Sequence, residues 1–112
     1  MKKIEAIIRQ SKFEDVEEAL GNIGVNFFTY ADVFGHGRQK GETVTYRGVV
    51  YDSGDIPRIL IELIVTDEKL EEVINTIVEN GRTDTIGDGK IIVTNVEKFI
   101  RIRTGESGKD AL

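Results

Sequence analysis

Apolar and polar positions alternate between two periods along the chain, in the same order twice. Lys3 to Arg9 (Lys-Ile-Glu-Ala-Ile-Ile-Arg) has the length and branched content of a strand. Ser11, followed three residues later by Glu14, has the form of a capping box and predicts that a helix starts there. Phe13, Val16, Ala19 and Leu20 then recur at helical spacing until Gly21 and Asn22, after which Val25 to Phe34 returns to strand composition. The second round follows a polar stretch. Ile56 to Val65 is a strong apolar run, and Asp67 opens a helix that carries Leu70, Val73, Ile74, Ile77 and Val78 and closes at Asn80-Gly81. Lys90 to Val96 reads as the strand that ends this round, and Lys98 to Arg103 as one further short alternating strand.

Two strand–helix–strand units in tandem predict an α+β, ferredoxin-like sandwich: a four-stranded antiparallel sheet with both helices on one face, its first and third strands central, and a long loop between the second and third. In the third strand Ile59, Ile61, Leu63 and Val65 point one way and Leu60 and Ile64 the other. Two helices cover one face only. The opposite face is expected to be covered by another copy of the chain, because an apolar patch of that size is poorly tolerated on a monomer.

Composition narrows the possible functions. The 112 residues, 39% hydrophobic, are the size of one ordinary domain, expected over 1–112 with a flexible tail from about residue 105. There is no cysteine, so no disulfide and no thiolate metal site, which fits a reducing compartment; without a signal-peptide core or a membrane-length apolar run, a cytoplasmic location is expected. The net charge of -5 argues against general nucleic-acid binding, which draws on broad basic surfaces. Any anion site must be built from a few local cations.

Three basic elements qualify: Gly35-His36-Gly37-Arg38, Gly87-Asp88-Gly89-Lys90, and the pair Arg101 and Arg103. Glycines let backbone N–H groups approach an anion, and lysine or arginine neutralises phosphate oxygens, so the three together suit a polyphosphate. They do not form a P-loop: position 84 is Asp, Lys90 is followed by Ile91, and a strand follows in place of a helix. His36 is the sole histidine, which excludes a histidine metal cluster, and turn chemistry accounts for Asp52, Asp55, Asp84 and Asp88. No catalytic triad or carboxylate pair can be picked out, so an enzyme is not expected. The glycine-rich loop from Gly35 to Asp55 is too long for a simple connection and reads as functional; Thr43 to Tyr46 and Val49 to Tyr51 could also pair across Arg47-Gly48 as a protruding hairpin.

Taken in order and spacing, these elements resemble the PII family of nitrogen-signalling proteins from Met1 to about Gly105. The resemblance is carried by Gly35-His36-Gly37-Arg38-Gln39, Tyr46-Arg47-Gly48-Val49-Val50-Tyr51, Thr83-Asp84-Thr85-Ile86-Gly87-Asp88-Gly89-Lys90-Ile91 and Ile100-Arg101-Ile102-Arg103-Thr104-Gly105. It implies a homotrimer with ATP or ADP in the clefts between subunits. Gly37, Arg38, Gly87, Gly89, Lys90, Arg101 and Arg103 would hold phosphates, with Asp88 in the same site, and Ile7, Glu62, Ile64 and Thr29 would surround the adenine. Gln39 would help hold a magnesium ion that 2-oxoglutarate also ligates. Arg58 stands where the family has a lysine that pairs with that ligand's distal carboxylate; arginine keeps the charge but changes the geometry of the grip.

The resemblance further implies that ligands change the conformation of the long loop, and that the loop regulates an ammonium transporter or enzymes of nitrogen assimilation. Tyr51 matches a tyrosine that some members uridylylate. Val49 and Val50 replace the commoner small residue and glutamate, Gln10 replaces a frequent proline, and Thr85 a frequent lysine. Two other readings remain: a divergent sensor whose loop reads another small carboxylate or anion, and a small ferredoxin-like enzyme acting on a phosphate or acyl phosphate.

Overall fold

In the computed structural model the described residues are 1–37, 43–46, 49–52 and 55–112, with 43–46 and 49–52 described by their backbone alone. The chain runs β1 (Lys2–Ile8), α1 (Phe13–Asn22), β2 (Thr29–His36), β3 (Thr43–Tyr46), β4 (Val49–Asp52), β5 (Asp55–Val65), α2 (Leu70–Gly81) and β6 (Lys90–Asn95). The main sheet is antiparallel in the order β2-β5-β1-β6, so the first strand and the long apolar strand are central, as the tandem pattern requires. Its register sets Ile4 against Leu63 and Val93, and Ala6 against Ile61 and Ile91.

That register puts one apolar row of each central strand under the helices. Ile4, Ala6 and Ile8 from β1 and Ile59, Ile61, Leu63 and Val65 from β5 are buried, and α1 and α2 seal them with Val16, Leu20, Val73 and Ile77. Gly81 ends α2 against the side chains of Ile8 and Val16. Glu14 and Asp15 in the first turn of α1, and Glu71 and Glu72 in that of α2, complement the positive ends of the helix dipoles. On the other face Ile7, Leu60 and Ile64 are only half-buried and Ile92 is 43% exposed, interleaved with Lys3, Glu5 and Glu62.

Several local expectations are corrected. No side-chain cap forms at Ser11: Gln10–Lys12 and Asp67–Lys69 are single 3-10 turns, and the α-helices begin only at Phe13 and Leu70. The expected strand from Lys98 to Arg103 is also absent. Gly105 donates its N–H to the Arg101 carbonyl at 2.8 Å, and the Arg101 N–H reaches the Glu106 carbonyl at 2.9 Å, which folds this stretch into a tight turn with one bridge between Ile100 and Ser107. Gly105 supplies the positive φ of 74° that the turn demands. Residues 105–112, expected as a flexible tail, hold a 3-10 turn over Gly108–Ala111 with Ala111 buried. Within the long connection, β3 and β4 pair as a separate two-stranded hairpin, Tyr46 against Val49 and Thr43 against Asp52, so the hairpin reading of that stretch is the one realised.

Ile61 is fully buried at the centre of β5, whereas Leu60 is on the half-buried face. Ile61→Ala should lower the unfolding free energy by about 3 kcal/mol in denaturant titrations, the usual cost of an emptied aliphatic core site.

Candidate functional site

Candidate ligand residues gather at two places on the sheet, one at each end. The first is the turn between α2 and β6. Asp84 at φ 65°, Gly87 at 102° and Gly89 at 95° all take left-handed backbone. At Gly89 no other residue fits, because a Cβ would sit 1.8 Å from the Ile7 carbonyl oxygen. The turn therefore lies directly on the end of β1, where Ile7 pairs with Lys90.

Three side chains hold the turn in this shape. The Asp88 carboxylate accepts the backbone N–H groups of Thr83 at 2.7 Å and Asp84 at 2.9 Å, together with the Thr83 hydroxyl. Arg9, just past β1, donates from Nε to Asp88 at 2.8 Å and from Nη2 to the Ile86 carbonyl at 2.8 Å and the Thr85 hydroxyl at 3.2 Å. Arg58, on β5, donates to the Gly87 carbonyl and to the Pro57 carbonyl, each at 2.8 Å. The Arg9 guanidinium, with the Thr83 hydroxyl and backbone N–H beside it, holds the Asp88 carboxyl well below the usual carboxylate range. Asp88 thus shapes the turn with its own carboxylate. Gly37 lies just beyond the last rung of β2, where His36 Nδ1 is 3.0 Å from Asp55 Oδ1 across the strand pair. Arg38 and Gln39 lie outside the described residues, as does the side chain of Tyr51, whose backbone pairs with Val44 in β4.

The second place is a cavity of about 730 Å³ at the opposite end of the sheet, largely apolar, where β2 begins and β5 ends. Thr29, Glu62, Ile64 and Arg101 all line it. Thr29 pairs with Glu62 across β2 and β5, and Glu62 in turn faces Glu5 across β5 and β1. Lys3 lies between the two acids, 3.8 Å from Glu5 and 3.9 Å from Glu62, and relieves a like-charge pair that would otherwise destabilise the sheet. Arg101 reaches Glu106 at 3.1 Å and the Leu112 carbonyl at 3.1 Å. Arg103 is exposed on the turn beyond.

One chain does not bring these residues into a single site. Arg58, beside the glycine turn, and Ile64, in the cavity, are six positions apart on one extended strand, or roughly 20 Å. Lys90 begins β6, while Arg101 follows its far end. Each half fits part of a nucleotide: positive-φ glycines with Lys90 suit phosphate, and an apolar hollow with Glu62 and Thr29 on its wall suits a base. Among the described residues there is no cluster of acids and histidine able to hold a metal. Arg9, Lys3 and the cavity residues Phe27 and Phe28 were not singled out in the sequence. Nothing local links Arg9 to a partner 79 residues away, and Phe27-Phe28 fall inside the stretch from Val25 to Phe34 that the sequence reads as strand, whereas β2 begins only at Thr29.

The comparisons with known proteins agree along residues 1–106 at least. The family model described as Nitrogen regulatory protein P-II matches residues 1–106. A protein of that name from Pasteurella multocida (strain Pm70) is 49% identical over 112 residues, covering both chains completely. "Nitrogen regulatory protein P-II 1" of Methanothermobacter thermautotrophicus is 47% identical over all of this chain and 97% of its own. The crystal structure of Arabidopsis thaliana PII bound to citrate matches with a TM-score of 0.82 at 38% identity, over 99% of this chain and 91% of that one.

Because the Asp88 carboxyl is depressed in the folded state, its stabilising effect is complete above the ordinary carboxylate pKa and fades as pH falls below about 4. The difference in Tm between the native chain and Asp88→Asn should therefore be largest near neutral pH and shrink steadily toward pH 2 in thermal melts.

Proposed function

The chain belongs to the P-II family of nitrogen regulatory proteins, signalling regulators rather than enzymes, and we propose that it senses ATP or ADP in clefts between the subunits of a homotrimer. The observation that carries this reading is the division of the ligand residues between opposite ends of one sheet. Complementary halves at opposite ends make a head-to-tail contact, which closes into a ring when the rotation allows. The half-buried sheet face bearing Ile7, Leu60 and Ile64 would turn inward in that ring. In each cleft the turn of one copy, with Gly37, Arg38, Gly87, Gly89 and Lys90, would meet Thr29, Glu62, Ile64, Arg101 and Arg103 of the next. Arg101 would exchange its bond to Glu106 for one to phosphate, a stronger charge-assisted partner.

The proposal extends to 2-oxoglutarate with Mg2+ at Gln39 and Arg58. Arg58 donates to the Gly87 carbonyl, so a dianion gripped there would act on the nucleotide turn directly. That contact offers a physical link between the two ligands and the connection from Gly35 to Asp55, which we take to dock on an ammonium transporter or on nitrogen-assimilation enzymes in the cytoplasm. Among the described residues no helix is long and apolar enough to cross a membrane, so a transporter would be met at its surface. A second reading has its own support: arginine at position 58 grips carboxylates bidentately, and a relative of this fold is described as bound to citrate. On that reading the loop senses a different small carboxylate. Tyr51 stands as a candidate for modification.

Calorimetry tests the nucleotide reading. ATP should bind the native chain, and Arg101→Ala with Arg103→Ala should weaken it at least about tenfold, as expected for two lost charge-assisted contacts; absence of ATP binding heat would overturn the reading. Competition in the presence of Mg2+ then separates the two carboxylate readings, with 2-oxoglutarate outcompeting citrate on the first and losing to it on the second.

A further inference from the structure

We infer that Phe27 is the stacking platform for the nucleobase in the cavity at the far end of the sheet, and so sets the preference for an aromatic base over a bare polyphosphate. The inference rests on the nucleotide reading above and adds a residue to it. Phe27 is 83% exposed in the irregular segment between α1 and β2. Its neighbours have settled elsewhere: Phe28 meets Phe13 edge-on with ring centres 6.3 Å apart, and Phe13 lies 4.7 Å from Tyr30. Among the described residues Phe27 takes no part in that cluster, and it is one of the residues that line the cavity.

Phe27 borders two hollows, and their chemistry tells them apart. The smaller, of about 410 Å³, has Glu17 as its one charged side chain and no cation. The larger, within the usual size range of small-molecule sites, combines an apolar wall at Ile64 and Phe99 with Glu62, Thr29 and the cations Lys3, Lys69 and Arg101. Each of these cations already has an acid beside it, Lys69 with Glu72 at 3.1 Å, Lys3 with Glu5 and Glu62 at 3.8 and 3.9 Å, and Arg101 with Glu106 at 3.1 Å, so an entering anion would take the place of a carboxylate. A ligand that satisfies all of these has a flat apolar face, a polar edge with an N–H to give to the Glu62 carboxylate, and a negative charge. A purine nucleotide has each of them. A bare polyphosphate has only the charge, and would leave Phe27 and the apolar wall without a partner.

The chain contains no tryptophan, so Phe27→Trp introduces a single indole in the cavity lining as a reporter. Titration with ATP should change the indole emission, while inorganic triphosphate should leave it unchanged. Phe27→Ala should weaken ATP binding roughly tenfold or more, in keeping with the loss of one base–aromatic stack, and leave triphosphate affinity unaltered. Being exposed, the residue can be replaced without emptying the core, and an unchanged circular dichroism spectrum verifies this. Equal ATP affinity in the native and Phe27→Ala chains would overturn the inference while leaving the nucleotide reading intact. Parallel loss of ATP and triphosphate binding would overturn it as well, by assigning Phe27 to assembly. A native chain that binds neither probe would overturn both.

Discussion

Two helices cover one face of a four-stranded sheet, and most of the molecule's behaviour follows from what that leaves over. The long central strand β5 is apolar on both sides. Its row of Ile59, Ile61, Leu63 and Val65 finds the helices and forms the core, whereas Leu60 and Ile64 face the other way beside charged neighbours. That second face is too apolar to be simply a solvated surface, yet it carries Lys3, Glu5 and Glu62 in contact. A mixed face of this kind suits a specific interface, where the ion cluster fixes register and the aliphatic side chains supply area.

The same sheet fixes where chemistry can happen. Antiparallel strands place the glycine turn and the apolar cavity at opposite ends, so neither half can recruit the other within one chain. The turn is held in one shape by the chain's own groups: Asp88 ties its first residues together, and Arg9 from just past β1 and Arg58 from β5 grip its carbonyl groups. Preparing that shape in advance lowers the ordering cost that a ligand would otherwise meet. The acidic net charge of -5 is compatible with this because local cations stand at both places, Arg9, Arg58 and Lys90 at the turn and Lys3, Lys69 and Arg101 at the cavity.

The parts legible in the sequence were those set by periodicity. Alternation in β5 and the 3.6-residue spacing of Val16, Leu20, Val73 and Ile77 identified their core rows correctly, because burial of one face is a strong constraint over many residues, whereas the buried row of β1 was not read from the sequence. Local signals were less dependable. Ser11 and Glu14 have capping-box spacing, but a 3-10 turn intervenes and the cap is not used. Ile100 to Arg103 alternates like a strand, yet Gly105 lets the backbone turn back on itself within five residues, and a bond to Glu106 replaces sheet pairing. At the candidate site the glycines were legible, since only glycine tolerates the approach of Gly89 to the Ile7 carbonyl. The braces were not: Arg9 and Asp88 meet only because β1 and the turn are brought together by the fold.

The central claim is that each nucleotide site is shared between two copies, and mixing two defective chains tests it most directly. Lys90→Ala damages the turn half and Arg101→Ala the cavity half, so each variant alone should bind ATP poorly while still assembling. Coassembled in equal amounts, they should regain tight ATP binding in about a quarter of the clefts, those in which two intact halves meet by chance. If the mixed assemblies bind no more tightly than the parents, although exchange of subunits is verified, the two halves do not belong to one site and the account is wrong.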